Sequence, residues 1–229
     1  LSLSGGKDSA ALAIYLRDRV PEMEYIFHDT EKELPETYDY LARLEAILGR
    51  PIAKTTAGFD FDHYLRLYGG MLPSNHRRWC TKMLKIKPFE AYVGDDECIN
   101  YVGLRADEKR RGYISTRKNI TPRYPFQEDG LVRADIIDIL EDSGLGLPPY
   151  IEWGRTRSGC YFCFYQQKIE WVRLKEQYPE LYAKAREYEE RPTTNGRRFA
   201  WHRSETLAEL ERPERMEEIK RKWAARVER

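Results

Sequence analysis

The chain predicts an α/β protein: a mostly parallel, twisted sheet with helices on both faces, followed by a helical C-terminal extension. Three observations carry this. Short runs rich in β-branched and aromatic residues alternate with stretches of helical period through roughly the first 145 residues. Gly and Pro punctuate the joins between them. Beyond that point the apolar runs give way to stretches dense in Glu, Lys, Arg and Tyr.

Leu1-Ser2-Leu3 is a strand stub, and the chain is expected to begin inside a strand, with residues missing upstream. A turn at Ser4-Gly5-Gly6 leads into a helix over 7–19, with Leu12, Ile14, Tyr15 and Leu16 on one side and Pro21 as its stop. Tyr25-Ile26-Phe27 is a short apolar strand. A helix begins at Pro35, carries Tyr38, Leu41, Leu44, Ile47 and Leu48 at helical spacing, and ends at Gly49. Ile52-Ala53-Lys54-Thr55 is a third strand. Cys98-Ile99-Asn100-Tyr101-Val102, between Gly94 and Gly103, is a fourth. Ile136, Ile137, Ile139 and Leu140 mark another helix, stopped at Gly144. A loop with Pro148, Pro149 and Gly154 then leads to Gly159-Cys160, and helices are expected over 168–177, 179–190 and 205–227. Intrahelical ion pairs explain the charge density of the last stretch.

A length of 229 residues suits one large domain, or one with a small appendage. Hydrophobic residues at 41% are too many for a disordered chain. Lys and Arg total 39 against 38 Asp and Glu, so net charge by itself points to no polyanionic partner. No apolar run approaches the ~20 residues of a membrane span, and no export signal opens the chain. A cytoplasmic location with no membrane partner is the expectation. There the four cysteines favour thiols, a metal or a cluster over disulfides.

Ser4-Gly5-Gly6-Lys7-Asp8-Ser9 lies where a strand meets a helix. Two glycines let the backbone turn tightly and approach a ligand. The amides of Gly6, Lys7 and Asp8 and the helix dipole favour an anion. Ser4 and Ser9 add hydroxyl donors and Lys7 a charge. The segment reads as a phosphate cradle. It is neither a GxxxxGK(S/T) loop nor a GxGxxG turn.

SGGKDS resembles the PP-loop of the ATP pyrophosphatases, which cleave ATP between the α- and β-phosphates. Further stretches resemble the PAPS (phosphoadenylylsulfate) reductase-like family within it: His28-Asp29-Thr30 with Leu34-Pro35-Glu36-Thr37-Tyr38, Trp79-Cys80-Thr81 with Leu84-Lys85-Ile86-Lys87-Pro88, Gly103-Leu104-Arg105-Ala106-Asp107-Glu108 with Arg110-Arg111, and Gly159-Cys160-Tyr161-Phe162-Cys163. The resemblance covers residues 1 to about 165. It implies an adenine nucleotide α-hydrolase-like fold, with residues 1–145 as the PP-loop nucleotide-binding domain. Residues 146–229 would hold the Cys-x-x-Cys loop and a charged helical region packed on that domain. It also implies ATP and Mg²⁺ as cofactors. Ser4, Gly5, Gly6, Lys7, Asp8, Ser9, Asp29, Arg110 and Arg111 would bind the nucleotide, and Lys7, Ser9 and Arg105 would serve the chemistry. An arginine fork at a strand end suits phosphate oxygens. The competing reading of Arg105 is a surface ion pair to Asp107 or Glu108.

Cys160-x-x-Cys163 alone is compatible with a redox pair, zinc or an iron–sulfur site. In cluster-bearing relatives a tandem Cys-Cys and a later Cys-x-x-Cys hold a four-iron, four-sulfur cluster. Here Trp79 occupies one tandem position, leaving Cys80, Cys160 and Cys163. The resemblance therefore implies a cluster with three cysteine ligands; zinc with a fourth ligand such as His76, or free thiols, are the alternatives. Cys98, at the head of an apolar strand, is expected in the core.

Two basic segments flank the presumed site: Arg77, Arg78, Lys82, Lys85 and Lys87, then Arg105, Lys109, Arg110, Arg111, Arg117 and Lys118. They suit substrate phosphates or a nucleic-acid backbone as readily as solvent. Tyr113, Tyr124 and Phe126 nearby read as core rings. Among the look-alikes, Dnd/Ssp-type DNA phosphorothioation proteins resemble this chain best. The implied function is an ATP pyrophosphatase that adenylates an acceptor, a DNA backbone phosphate, for sulfur insertion, with a cysteine desulfurase as sulfur-donating partner. PAPS or APS reduction, tRNA thiolation and a non-catalytic nucleotide-binding subunit are the alternatives. The reductases use a cysteine in a C-terminal tail; here none follows Cys163, which places reduction lower.

Overall fold

The structure is a computed structural model, and it describes residues 1–110, 115–194 and 196–227. Strands β1 (Ser2–Leu3), β2 (Tyr25–His28) and β3 (Ile52–Thr55) form a parallel sheet in the order β1-β2-β3. Strands β4 (Cys98–Tyr101) and β5 (Ile120–Arg123) form a second parallel pair. Register runs Leu3 to Phe27 and Phe27 to Lys54 in the first sheet, and Asn100 to Pro122 in the second. The expected parallel sheet is therefore present as two pieces. The pieces separate between β1 and β4, where Leu1, Met23, Ile26, Phe89 and Cys98 line one hollow. A second cavity opens above the carboxyl ends of the same two strands.

Helices α1 (Lys7–Leu16) and α2 (Pro35–Leu48) follow β1 and β2 as the apolar period requires. Ala10, Ala11, Leu12, Ala13 and Leu16 of α1 are buried, and so are Tyr40, Leu41, Leu44 and Leu48 of α2. Gly49 ends α2 in the left-handed region at φ 63°. Between β3 and β4 come α3 (Phe61–Leu67) and a helical run that sequence periodicity left unassigned. The run consists of α4 (Trp79–Thr81), a π-turn (Lys82–Ile86) and α5 (Lys87–Val93). After β5 follow α6 (Pro125–Glu128) and α7 (Arg133–Asp142), which carries buried Ile136 and Leu140 into the core of α1 and α2.

The C-terminal part contains α8 (Lys168–Gln177), α9 (Pro179–Glu190), α10 (Leu207–Leu210) and α11 (Pro213–Val227). The last expected helix is thus two, broken just before Pro213 because proline cannot donate within a helix interior. A second core forms here, and it is shared. Phe61 of α3 lies against Trp79, Phe162 and Tyr188 at 5.0, 4.5 and 5.3 Å between ring centroids. Trp79, standing where a tandem cysteine would be, stacks on Phe61 and Tyr68 and donates its indole N–H to the Met71 carbonyl at 3.0 Å. Packing thus occupies that position.

The charged C-terminal helices do form intrahelical pairs, Arg215–Glu218 and Lys222–Glu218 among them. They also bind one another through Lys175–Glu211, Arg186–Glu211 and Arg215–Glu205. Arg215 grips Glu205 with two N–H groups at 2.7 and 2.9 Å, the bidentate geometry in which an ion pair contributes most.

Candidate nucleotide and thiol site

The carboxyl end of β1 runs directly into the glycine turn, and α1 begins at Lys7, so the 4–9 loop sits at a helix N-terminus as expected. Gly5 holds φ +66°, and a Cβ there would come within 2.4 Å of the Thr37 methyl. Gly103, after β4, packs on the loop so closely that a Cβ would lie 2.8 Å from the Asp8 carbonyl oxygen. Both positions admit only glycine. Ser9 Oγ ties the turn together: it accepts from the Ser4 amide at 3.2 Å and donates to the Gly6 carbonyl at 3.1 Å. Ser4 Oγ lies 3.1 Å from Ser9 Oγ and accepts from Ser158 Oγ at 3.2 Å.

This loop is one wall of a cavity of about 350 Å³. Ser4, Gly6, Lys7, Asp8 and Ser9 line it, with residues 100–103 opposite, Thr156, Arg157 and Ser158 above, and His28, Lys85 and Arg110 at the side. The side-chain oxygen of Asn100 is buried there without a partner among the described residues, an acceptor free for a ligand donor.

The expected nucleotide residues divide. The loop residues and Arg110 face the cavity, whereas Gly5 lies beneath it as the turn's pivot. Arg105 does not line the cavity. Its guanidinium holds Asp8 at 2.7 Å, Asp107 at 2.9 Å and Glu108 at 2.9 Å, so it braces the loop's acid from behind. Arg110 pairs with Glu108. Asp29 accepts from the Glu31 amide and the Tyr38 hydroxyl, both at 2.8 Å, and lines a neighbouring hollow of about 160 Å³. Arg111 and Tyr113 lie outside the described residues. Phe126 is fully buried, as a core ring should be, and Tyr124 is half-buried.

Lys7 ammonium pairs with Asp8 at 2.7 Å, and Arg105 takes the other oxygen of that carboxylate. Both oxygens of this acid are therefore engaged. A Mg²⁺ here would be held chiefly by nucleotide phosphates, the usual habit of that ion.

His28 lies in the cavity wall, its Nδ1 2.6 Å from Thr55 Oγ1 and its Nε2 3.4 Å from Ser2 Oγ. Burial, then the nearby Lys85 charge, lower its pKa to about 4 from 6.5. The folded chain therefore binds fewer protons than the unfolded one between those values. Stability present above pH 6.5 is lost as pH falls towards about 4. His28→Asn is expected to flatten that slope by up to about 3 kcal/mol between neutral pH and pH 4 in chemical denaturation. Equal slopes in the two proteins would locate the loss elsewhere.

The three expected metal ligands converge beside this cavity. Cys160 Sγ lies 3.2 Å from Thr30 Oγ1 and 3.9 Å from Glu33 Oε1. Thr30 donates to the same Glu33 oxygen at 3.1 Å, and Lys85 stands 3.6 Å from it. Glu33 has a fully buried side chain, and its second oxygen lacks a partner among the described residues. Burial and Glu33 push the Cys160 thiol up, and burial raises Cys80 as well. Burial alone would lower Lys85, but Glu33 and the three thiols outweigh it and hold the ammonium above its ordinary pKa. Arg155, fully buried, donates to the carbonyls of Gly159 and Cys160 and holds the cysteine turn in place. The donor set suits a cluster in chemistry and neighbourhood. Among the described residues, however, no three His, Cys, Asp or Glu side chains stand closed around an ion position. His76 is exposed on the loop before Trp79, and Cys98 is half-buried at the edge of a small core with Ile26, Phe89, Val93 and Ile120.

Sequence reasoning set His28 in a family-like stretch without a role and Lys85 in a basic segment flanking the site, and it missed Asn100, Tyr150 and residues 156–158 as site components. Only the last had a usable signal, since they immediately precede the recognisable Gly159-Cys160. Lys85 matters most, because it faces the cavity of the 4–9 loop and the thiols together.

Comparison with known proteins places these observations. Uncharacterized protein MJ0973 of Methanocaldococcus jannaschii is 28% identical over 196 residues, 80% of this chain and 45% of that protein. Uncharacterized protein MJ0066 of the same organism is 26% identical, over 83% of this chain and 42% of that protein. An uncharacterized 37.8 kDa protein of Escherichia phage 186 is 24% identical, over 82% of this chain and 73% of that protein. The chain thus spans less than half the length of the two archaeal relatives. The crystal structure of phosphoadenylyl-sulfate reductase from Candida auris, a phosphate complex, superposes with a TM-score of 0.55 at 13% identity. That match covers 69% of this chain and 79% of the other, and it bears on the fold. Residues 1–127, more than half of the chain, match the phosphoadenosine phosphosulfate reductase domain, and the chain belongs to that family.

Proposed function

We propose that the chain binds ATP under the 4–9 loop and transfers the adenylyl group to an acceptor oxygen, a DNA backbone phosphate, which sulfur then replaces. The observation that carries this reading is the cradle beside the thiols. Lys7, the loop hydroxyls and Ser158 converge at a helix N-terminus, and Lys85 joins that cavity to Cys80, Cys160 and Cys163.

In the first step the acceptor oxygen attacks the α-phosphorus and the bond to pyrophosphate breaks. Charge grows on the leaving group, where Lys7 and the loop amides already point. Mg²⁺ would enter with the nucleotide and would help to neutralise that charge. In the second step a sulfide-level nucleophile forms the bond to phosphorus and AMP departs with the acceptor oxygen. Cys80, Cys160 and Cys163 would hold a four-iron, four-sulfur cluster, which supplies an iron free of protein ligands for sulfur binding. A cysteine desulfurase supplies the sulfur as a persulfide, and a dithiol reductant, itself oxidised to a disulfide, brings it to the sulfide level before it attacks.

The family itself favours a second reading, reduction of a phosphoadenylylsulfate-type substrate. One assay separates the two. With α-labelled ATP and DNA, AMP and pyrophosphate are the expected products. Sulfite release from PAPS with thioredoxin, without ATP cleavage, would establish reduction instead. Nucleotide binding without either reaction would mark a binding subunit.

A further inference from the structure

The helical run whose Lys85, Ile86 and Phe89 line the cavity is also marked by exposed cations that pair with none of the described residues. Arg78, immediately before the helical run that carries Cys80, and Lys82 and Lys87 within it are exposed. The Lys82 amide donates to the Arg78 carbonyl at 3.2 Å, and the Lys87 amide donates to the Lys82 carbonyl. The three therefore follow one another at one-turn intervals. The second step spans five residues because the run passes through the π-turn. In a plain α-helix Lys87 would have rotated off the row, whereas the wider turn returns it to line.

Arg157 lies on the cavity wall, on the loop before Gly159-Cys160. Its guanidinium and that of Arg78 both lie over the Tyr165 ring, at 4.9 and 5.6 Å from its centroid. The Phe164 ring is 4.5 Å from that of Tyr165. Among the described residues, none of Arg78, Lys82, Lys87 and Arg157 makes an ion pair. Within the same run Lys85 differs, being paired with Glu33. Arg157 on the cavity wall, Arg78 beside it over Tyr165, and Lys82 and Lys87 on the following run are four exposed, unpaired cations on neighbouring segments, a charge pattern that favours a polyanion.

We propose that this row, with the Arg78/Tyr165/Arg157 stack, docks a single strand of nucleic acid. Backbone phosphates follow Arg78, Lys82 and Lys87, and one unpaired base stacks on the arginine–tyrosine platform at the cavity mouth. Stacking requires an exposed base face, which a duplex hides, and an aromatic platform within a basic groove is the usual device for single strands. The inference rests on a nucleic-acid acceptor, as proposed above, and narrows it to an unpaired strand.

The test is fluorescence anisotropy with a labelled 12-nucleotide DNA strand and its duplex, across a salt series. The strand is expected to bind more tightly than the duplex. Three phosphate contacts predict a slope of log K against log salt of about −2. Arg78→Ala, Lys82→Ala and Lys87→Ala should each weaken binding severalfold and reduce that slope by about 0.7. Tyr165→Ala should cost about tenfold, and Tyr165→Phe, which keeps the ring, should restore binding. Equal affinity for duplex and strand would overturn the inference, as would an unchanged slope in the Arg78→Ala/Lys87→Ala double variant. Calorimetric ATP binding and AMP release from the same preparations separate the two readings. ATP binding without strand binding overturns the docking surface alone. Strand binding without ATP cleavage leaves the surface standing and overturns adenylyl transfer.

Discussion

Lys7→Ala is expected to lower ATP-dependent pyrophosphate release by about 10²–10³-fold, the cost of removing one preorganised donor from developing charge. The geometry explains why the loss should fall on rate as well as binding. Lys7 is the first residue of α1, its ammonium lines the cavity, and it now rests on Asp8 at 2.7 Å. Removing it deletes a positive charge and also leaves Asp8, a negative one, balanced only from behind by Arg105. The fold should survive, because the side chain takes no part in either core. Thermal unfolding within a few degrees of the parent, together with the rate loss, is the expected pair of results. Near-normal pyrophosphate release would refute the loop assignment.

Cys160→Ala should have the opposite signature: sulfur incorporation falls to background while pyrophosphate release continues. Cys160 does not line the cavity of the 4–9 loop, and it is hydrogen-bonded to Thr30 and close to Glu33. Its backbone position is set by Arg155 and by the Tyr161 amide, which donates to the Lys32 carbonyl at 2.8 Å. Neither contact needs the thiol. Product analysis by mass spectrometry, beside a pyrophosphate assay on the same sample, separates the steps. Concurrent loss of both activities would mean that the thiol serves the nucleotide reaction itself. Iron content should fall with it if the thiols hold a cluster.

Much of the fold was legible because its signals are local. The 4–9 turn, α2 between Pro35 and Gly49, and the strands Tyr25–His28 and Ile52–Thr55 follow from periodicity and punctuation within a few residues. The run from Trp79 to Val93 was not legible. Its apolar residues serve two cores and its polar residues serve the site, so no single face repeats. The π-turn further breaks the 3.6-residue period that would have revealed it. The interruption between β1 and β4 was equally hidden, because strand pairing is a long-range property.

The division at the site has the same cause. Sequence by itself determined the glycine turn at the start of α1, since its glycines, hydroxyls and lysine act within six residues of one turn. Tertiary structure alone decided that Arg105 braces Asp8 rather than facing the cavity, and that Asp29 turns to Tyr38. It alone decided that Lys85 joins the two halves of the site. Those outcomes depend on partners up to 97 positions away, and side-chain direction over such separations is set by packing, which no local pattern encodes.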